Sequence, residues 1–143
     1  MNANQFHFII IDDSIFDSRI AEKVIQNVDS GAVVTIFHDA TKAFDFLKDL
    51  PHLSHATQRR VLFVDIQMPI MNGFEFVESF ESLPDDVKSG YILYFITSSM
   101  NENDIRRGTS YPSVRKFLNK PLTVDMLSGI ITSLRDEAQA GLQ

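Results

Sequence analysis

The chain has 143 residues, 44% of them hydrophobic and 22% charged, which suits one compact domain with a sizeable core and excludes wholesale disorder. Nineteen acidic residues against thirteen basic ones give a formal charge of -6, an acidic balance that argues against a general nucleic-acid binder. With no cysteine, disulfide staples and thiolate metal sites are excluded, and the composition agrees with a cytoplasmic protein.

Taken in chain order, residues 1–5 lack a basic start followed by an apolar region, so they do not read as a signal peptide. The first apolar run, Phe6–Ile11, lacks polar alternation, as a strand covered on both faces does. It ends in Asp12-Asp13. Residues 14–28 carry Ile15, Phe16, Ile20, Val24, Ile25 and Val28 on a helical stripe, and Ser14 followed by Asp17 resembles a capping box with Asp in place of Glu. Residues 32–37 form a second strand-like run, after which Asp39 can cap a helix bearing Ala43, Phe44, Leu47 and Leu50 and ended by Pro51.

The stretch 51–60 is a polar connection, in which His52 and His55 read as loop residues and Arg59-Arg60, like Arg106-Arg107 further on, as a solvated face or loop edge. His7 and His38 lie on other segments. A third run, 61–64, ends at Asp65, and a helix over about 74–80 lies between Gly73 and Pro84. The fourth run, 91–96, ends in Thr97-Ser98 and leads to a short polar helix near 101–107, stopped by Gly108. The fifth run, 114–118, ends at Lys120-Pro121; Thr123 then caps a helix with Val124, Leu127, Ile130, Ile131, Leu134 and Ala138 on one stripe. Residues 137–143 read as a tail.

Five alternations of strand and helix predict an α/β domain: a doubly wound, mostly parallel sheet with helices on both faces. The expectation is a single domain over 1–143 with its core at about 6–134. In such a sheet ligands bind at the carboxyl ends of the strands, so Asp12, Asp13, Asp65, Thr97, Ser98 and Lys120 meet at one rim. Adjacent carboxylates repel, and a third beside them favours a hard divalent cation with oxygen ligands such as Mg²⁺; the alternative for either Asp12 or Asp13 is a helix cap. A carboxylate at Asp65 can act as a nucleophile toward phosphorus, with Lys120 as a compact neutralising charge and Thr97 as a hydroxyl donor. Against this stand ordinary alternatives, a surface lysine and a β-branched strand residue.

These residues, in this order, carry a resemblance. Ile11-Asp12-Asp13-Ser14, Val64-Asp65-Ile66-Gln67-Met68-Pro69 with Asn72-Gly73, Ile96-Thr97-Ser98-Ser99, and Phe117-Leu118-Asn119-Lys120-Pro121 together resemble the receiver domain of two-component response regulators, of the single-domain, chemotaxis-regulator-like kind. The resemblance implies a flavodoxin-like five-stranded sheet of order 2-1-3-4-5. It implies phosphorylation of Asp65 with Mg²⁺ held by Asp12, Asp13, Asp65 and the Gln67 backbone carbonyl. Thr97, Ser98 and Lys120 would bind the phosphoryl group, the Lys120-Pro121 peptide would be cis, and Thr97 and Phe117 would form the switch, changing the face of helix four, strand five and helix five. The implied partners are a histidine kinase or histidine phosphotransfer protein and a downstream protein. No direct contact with nucleic acid or membrane is expected, no fused output domain, and a monomer or weak dimer. Such a domain is not a dedicated enzyme, although it catalyses its own phosphotransfer and slow dephosphorylation. Phe117 stands where the family frequently has Tyr, and the resemblance implies that Gln67 and Ser99, two places beyond Asp65 and Thr97, would flank the path of incoming water.

Three other readings compete. A Mg²⁺-dependent phosphatase with an Asp nucleophile places that residue on the first strand in Asp-x-Asp, not on the third. A flavodoxin-like cofactor binder needs a Gly- or hydroxyl-rich phosphate loop where Asp12-Asp13 stand. A phosphorylation-independent interaction module keeps the fold without the chemistry, and would be expected to lose an acidic residue or the lysine.

Overall fold

In a computed structural model that describes residues 6–49 and 59–140, the described residues form five strands and six helices, with a helix after each strand and two between the third and fourth strands. The strands are β1 (Phe6–Ile11), β2 (Val33–Phe37), β3 (Arg59–Asp65), β4 (Tyr91–Thr97) and β5 (Val114–Asn119). The helices are α1 (Ile15–Val28), α2 (Ala40–Asp49), α3 (Gly73–Glu81), α4 (Asp85–Lys88), α5 (Glu102–Thr109) and α6 (Val124–Ala140). All pairings are parallel, in the order β2-β1-β3-β4-β5, the flavodoxin-like arrangement expected from the sequence. The register sets Ile11 beside both Phe37 and Val64, Asp65 beside Ile96, and Thr97 beside Asn119, so the polar residues that end the strands come out level.

Alternate side chains of each strand feed two cores, one on each face of the sheet. Phe8, Ile10, Phe63 and Tyr94 pack with Ile25 of α1 and with Leu127, Ile131 and Leu134 of α6. Ile9, Ile11, Leu62, Val64 and Phe95 pack with Leu47 of α2 and with Phe76 and Phe80 of α3. Each fully buried Leu, Ile or Phe contributes roughly 1.5–3 kcal/mol through removal from water, and both faces of β1 and β3 collect that contribution.

Several local expectations are corrected. A sixth helix, α4, follows Pro84; Asp85 and Asp86 in its first turn and Lys88 in its last match the helix dipole, so helices four and five of the sequence reading become α5 and α6. Gly108 does not stop its helix: α5 runs through it to Thr109. A Cβ there would lie 2.7 Å from the Phe117 ring and 3.0 Å from the Phe95 ring, so glycine lets the helix approach β4 and β5. Residues 137–140 belong to α6 rather than to a tail, and Glu137 holds Arg115 of β5 at 2.7 Å.

Arg59 and Arg60 open β3 instead of edging a loop. The Arg59 Nη1 donates to the Leu134 carbonyl oxygen at 2.8 Å. Leu50, Pro51, His52 and His55 lie outside the described residues. Among the described residues no helix is long and apolar enough to cross a membrane.

Candidate functional site

The carboxyl ends of β1, β3 and β5 bring one lysine and three acidic groups together. Asp12 is held by its backbone as much as by its side chain. Its N–H donates to the Phe37 carbonyl at 3.0 Å, and its carbonyl accepts from the His38 Nδ1 at 3.0 Å. Its Oδ1 accepts the Ser14 N–H at 2.9 Å, leaving Oδ2 directed at Lys120. Asp12 is 2% exposed and Asp65 6% exposed, whereas Asp13 faces solvent. One carboxylate oxygen from each of the three falls within 4.8 Å of the others.

Asp65 is positioned by the tight junction between β3 and α3. The Gly73 N–H donates to the Ile66 carbonyl at 2.8 Å, and a Cβ on Gly73 would stand 2.5 Å from the Asp65 carbonyl oxygen. Only glycine allows the first turn of α3 this close to the acceptor strand. Asn72 caps that helix in a capping box with Glu75, a signal the sequence carries as Asn-x-x-Glu but which the sequence reading passed over. Between Asp65 and Asn72, Ile70 sits at φ 69°, in the left-handed region that disfavours β-branched residues, with its side chain exposed.

Lys120 enters from β5, its backbone N–H bonded to the Thr97 carbonyl at 2.7 Å and its peptide to Pro121 cis, as anticipated. Its Nζ lies 2.7 Å from Asp12 Oδ2, 2.9 Å from Asp17 Oδ2 and 3.5 Å from Asp65 Oδ1. Burial alone lowers the Lys120 pKa, but the hydrogen bonds to Asp12 and Asp17 and the charges of Asp12 and Asp65 more than reverse it, keeping the ammonium charged. The Asp65 carboxyl is pushed up to about 6, first by burial and then by the Asp12 charge, with Lys120 pulling the other way and Asp13 adding to the rise.

Thr97 is buried at the end of β4, its Oγ1 accepting the Ser99 N–H at 3.3 Å. Ser98 and Gln67 are exposed on the loops beside it and after β3. Phe117 is half-buried on β5, its ring 5.8 Å from that of Phe95. Asp17 is the residue that sequence reasoning misplaced. Ser14 Oγ does accept the Asp17 N–H at 3.1 Å, but the Asp17 carboxylate turns to Lys120 instead of completing a capping box. Nothing local signals this, because the two residues are 103 positions apart.

The donor set suits a hard divalent cation: carboxylate oxygens from Asp12, Asp13 and Asp65, with solvent access at Asp13 for retained waters. Burial first, and then the Asp12 charge, disfavour the ionised form of Asp65, and a bound Mg²⁺ would favour it.

A family model described as the response regulator receiver domain matches residues 8–132. The crystal structure of a response regulator receiver protein from Dyadobacter fermentans superposes with a TM-score of 0.79 at 31% identity, covering 90% of this chain and 96% of that one. Stress response regulator protein 1 from Lodderomyces elongisporus is 22% identical over 139 residues, 93% of this chain and 34% of that protein. A protein-glutamate methylesterase/protein-glutamine glutaminase from Methanococcus maripaludis is 33% identical over 67 residues, 47% of this chain and 16% of that protein. The match thus spans 34% and 16% of the length of these two relatives.

Proposed function

The chain belongs to the response regulator receiver domain family of two-component signalling, and from that premise we propose that Asp65 accepts a phosphoryl group from a histidine kinase or histidine phosphotransfer protein. Receiver domains are phosphorylated on an aspartate with Mg²⁺ at their acidic site. The observation that carries the assignment is the convergence of the Asp12, Asp13 and Asp65 carboxylates within 4.8 Å, with Lys120 Nζ 3.5 Å from Asp65 Oδ1.

In the proposed transfer an Asp65 oxygen attacks phosphorus as the donor's N–P bond breaks. The phosphoryl group is left as a mixed anhydride on Asp65, and the electron pair of the broken bond stays with the donor nitrogen. With its pKa near 6, Asp65 is largely ionised at neutral pH and available as the nucleophile. Asp12, Asp13, Asp65 and the Gln67 carbonyl would hold Mg²⁺, which when bound supplies charge neutralisation to the phosphoryl oxygens. Lys120 supplies a second positive charge to them, and Thr97 and Ser98 lie at the end of β4 to donate hydroxyls.

Signal output through the face of α5, β5 and α6 is part of the same proposal. Phe117 packs beside Phe95 and close against Gly108 of α5, so movement of its ring would bear on that helix. Arg107 of the helix and Tyr111 just beyond its end both reach Glu78 of α3, and the Arg107 guanidinium lies 4.2 Å from the Phe74 ring centre. A cytoplasmic location and the monomer or weak dimer are proposed with it.

The test is intact-protein mass after incubation with phosphoramidate or acetyl phosphate, with and without Mg²⁺, for the parent and Asp65→Asn. A metal-dependent gain of one phosphoryl mass in the parent alone supports the assignment. A folded parent that gains nothing would return the function to a phosphorylation-independent interaction module.

A further inference from the structure

Lys120 has three N–H donors, and each is faced by a carboxylate. The contact to the acceptor Asp65, at 3.5 Å, is the longest of the three, while Asp12 and Asp17 hold the ammonium at 2.7 and 2.9 Å. Walls of the same cleft are apolar, formed by Ile10, Ile20, Phe63 and Leu122, so the ammonium depends on these carboxylates. A phosphoryl group on Asp65, carrying more charge than the carboxylate it replaces, would compete with the two short contacts for the ammonium.

The two are not equivalent. The Asp12 side chain is 3% exposed and is also fixed by the Ser14 N–H; released from Lys120, it would be a buried anion short of a partner. The Asp17 side chain is 36% exposed and sits in the first turn of α1, so it can exchange Lys120 for water at low cost.

We propose that Asp17 is a positioning residue that competes with the phosphoryl group for Lys120, holding the ammonium back in the resting state and yielding it on phosphorylation. This rests on the assignment of Asp65 as the acceptor. Asp17 stabilises the resting arrangement and makes no matching contact once Lys120 has turned to the phosphoryl oxygens. Its loss therefore favours phosphoryl entry, and leaves hydrolysis nearly unchanged because Lys120 serves the phosphoryl group both before and during that step.

The experiment compares the parent with Asp17→Asn and Asp17→Glu at saturating Mg²⁺. It reads the rate of phosphorylation by phosphoramidate, the rate of loss of the phosphoryl group, and the NMR resonance of the Lys120 ammonium without donor. Asp17→Asn is expected to raise the phosphorylation rate about three- to tenfold, the range a partly exposed ion pair supports, while changing hydrolysis less than about twofold. Asp17→Glu restores the parent rate, and the Lys120 resonance shifts in Asp17→Asn only. A capping or helix-dipole role would instead lower the melting temperature and leave both rates alone, which overturns the inference, as does a slower phosphorylation in Asp17→Asn. A parent that takes no phosphoryl group overturns the acceptor assignment itself, and is told apart because failure of the inference alone leaves the parent labelled.

Discussion

A carboxyl group that is 6% exposed and beside two other acids is harder to ionise in the folded chain than in the unfolded one. The Asp65 pKa accordingly stands at about 6 against 3.8 for the free group, and the folded state binds its proton more tightly. The contribution of this group to stability is therefore highest below pH 3.8, falls as pH rises through the window to about 6, and is flat above it. With metal removed by chelator, Asp65→Asn is expected to match the parent near the acid end and to be about 1–3 kcal/mol more stable at pH 8, as urea midpoints at several pH values would show. Equal stabilities at pH 8 would mean that Lys120 already compensates the charge. Sequence placed Asp65 at the end of its strand, but the size of this effect depends on burial and on Asp12, which belong to the folded state alone.

At the scale of elements, the boundaries followed local chemistry where local chemistry was decisive. Ser14, Asn101 and Thr123 accept backbone N–H bonds at the starts of α1, α5 and α6, and Asp39 accepts the Thr41 N–H where α2 begins. Gly108 misled because glycine ends helices only when the chain needs a left-handed turn; here the ring of Phe117 needs the space. Gly73 is the stronger case, since the atoms a Cβ would meet are backbone of Asp65 and Ile66, at 2.5 and 2.8 Å, and cannot rotate away. Gly73→Ala is expected to cost about 3 kcal/mol despite alanine's better helix propensity, and to slow phosphorylation by shifting Asp65. Denaturant unfolding together with the phosphoramidate rate checks both; a stable variant with the parent rate would show that the junction relaxes.

Across the whole molecule the sheet couples two cores that share the same strands. Leu47 is fully buried on the α2 and α3 side and Leu127 on the α1 and α6 side. Replacing either with alanine is expected to cost about 2–5 kcal/mol and to move one common transition, with circular dichroism and tyrosine fluorescence coinciding. Separate transitions would mean that the two faces unfold independently. A parallel sheet in which every central strand is buried on both faces gives no route for one side to melt alone.

The alternation of apolar runs and helical stripes determined a mostly parallel sheet with helices on both faces, because strands buried on both faces and their crossover helices leave a periodic signature in any such chain, whereas the strand order followed from the family resemblance. It also put Asp12, Asp13, Asp65, Thr97 and Lys120 at strand ends, since topology alone carries those ends to one rim. Only the tertiary structure decided which carboxylates claim Lys120, that Asp17 is among them, and that Gly108 is packed rather than terminal. Those outcomes are set by distances of a few ångströms between side chains remote in sequence, which no local pattern encodes.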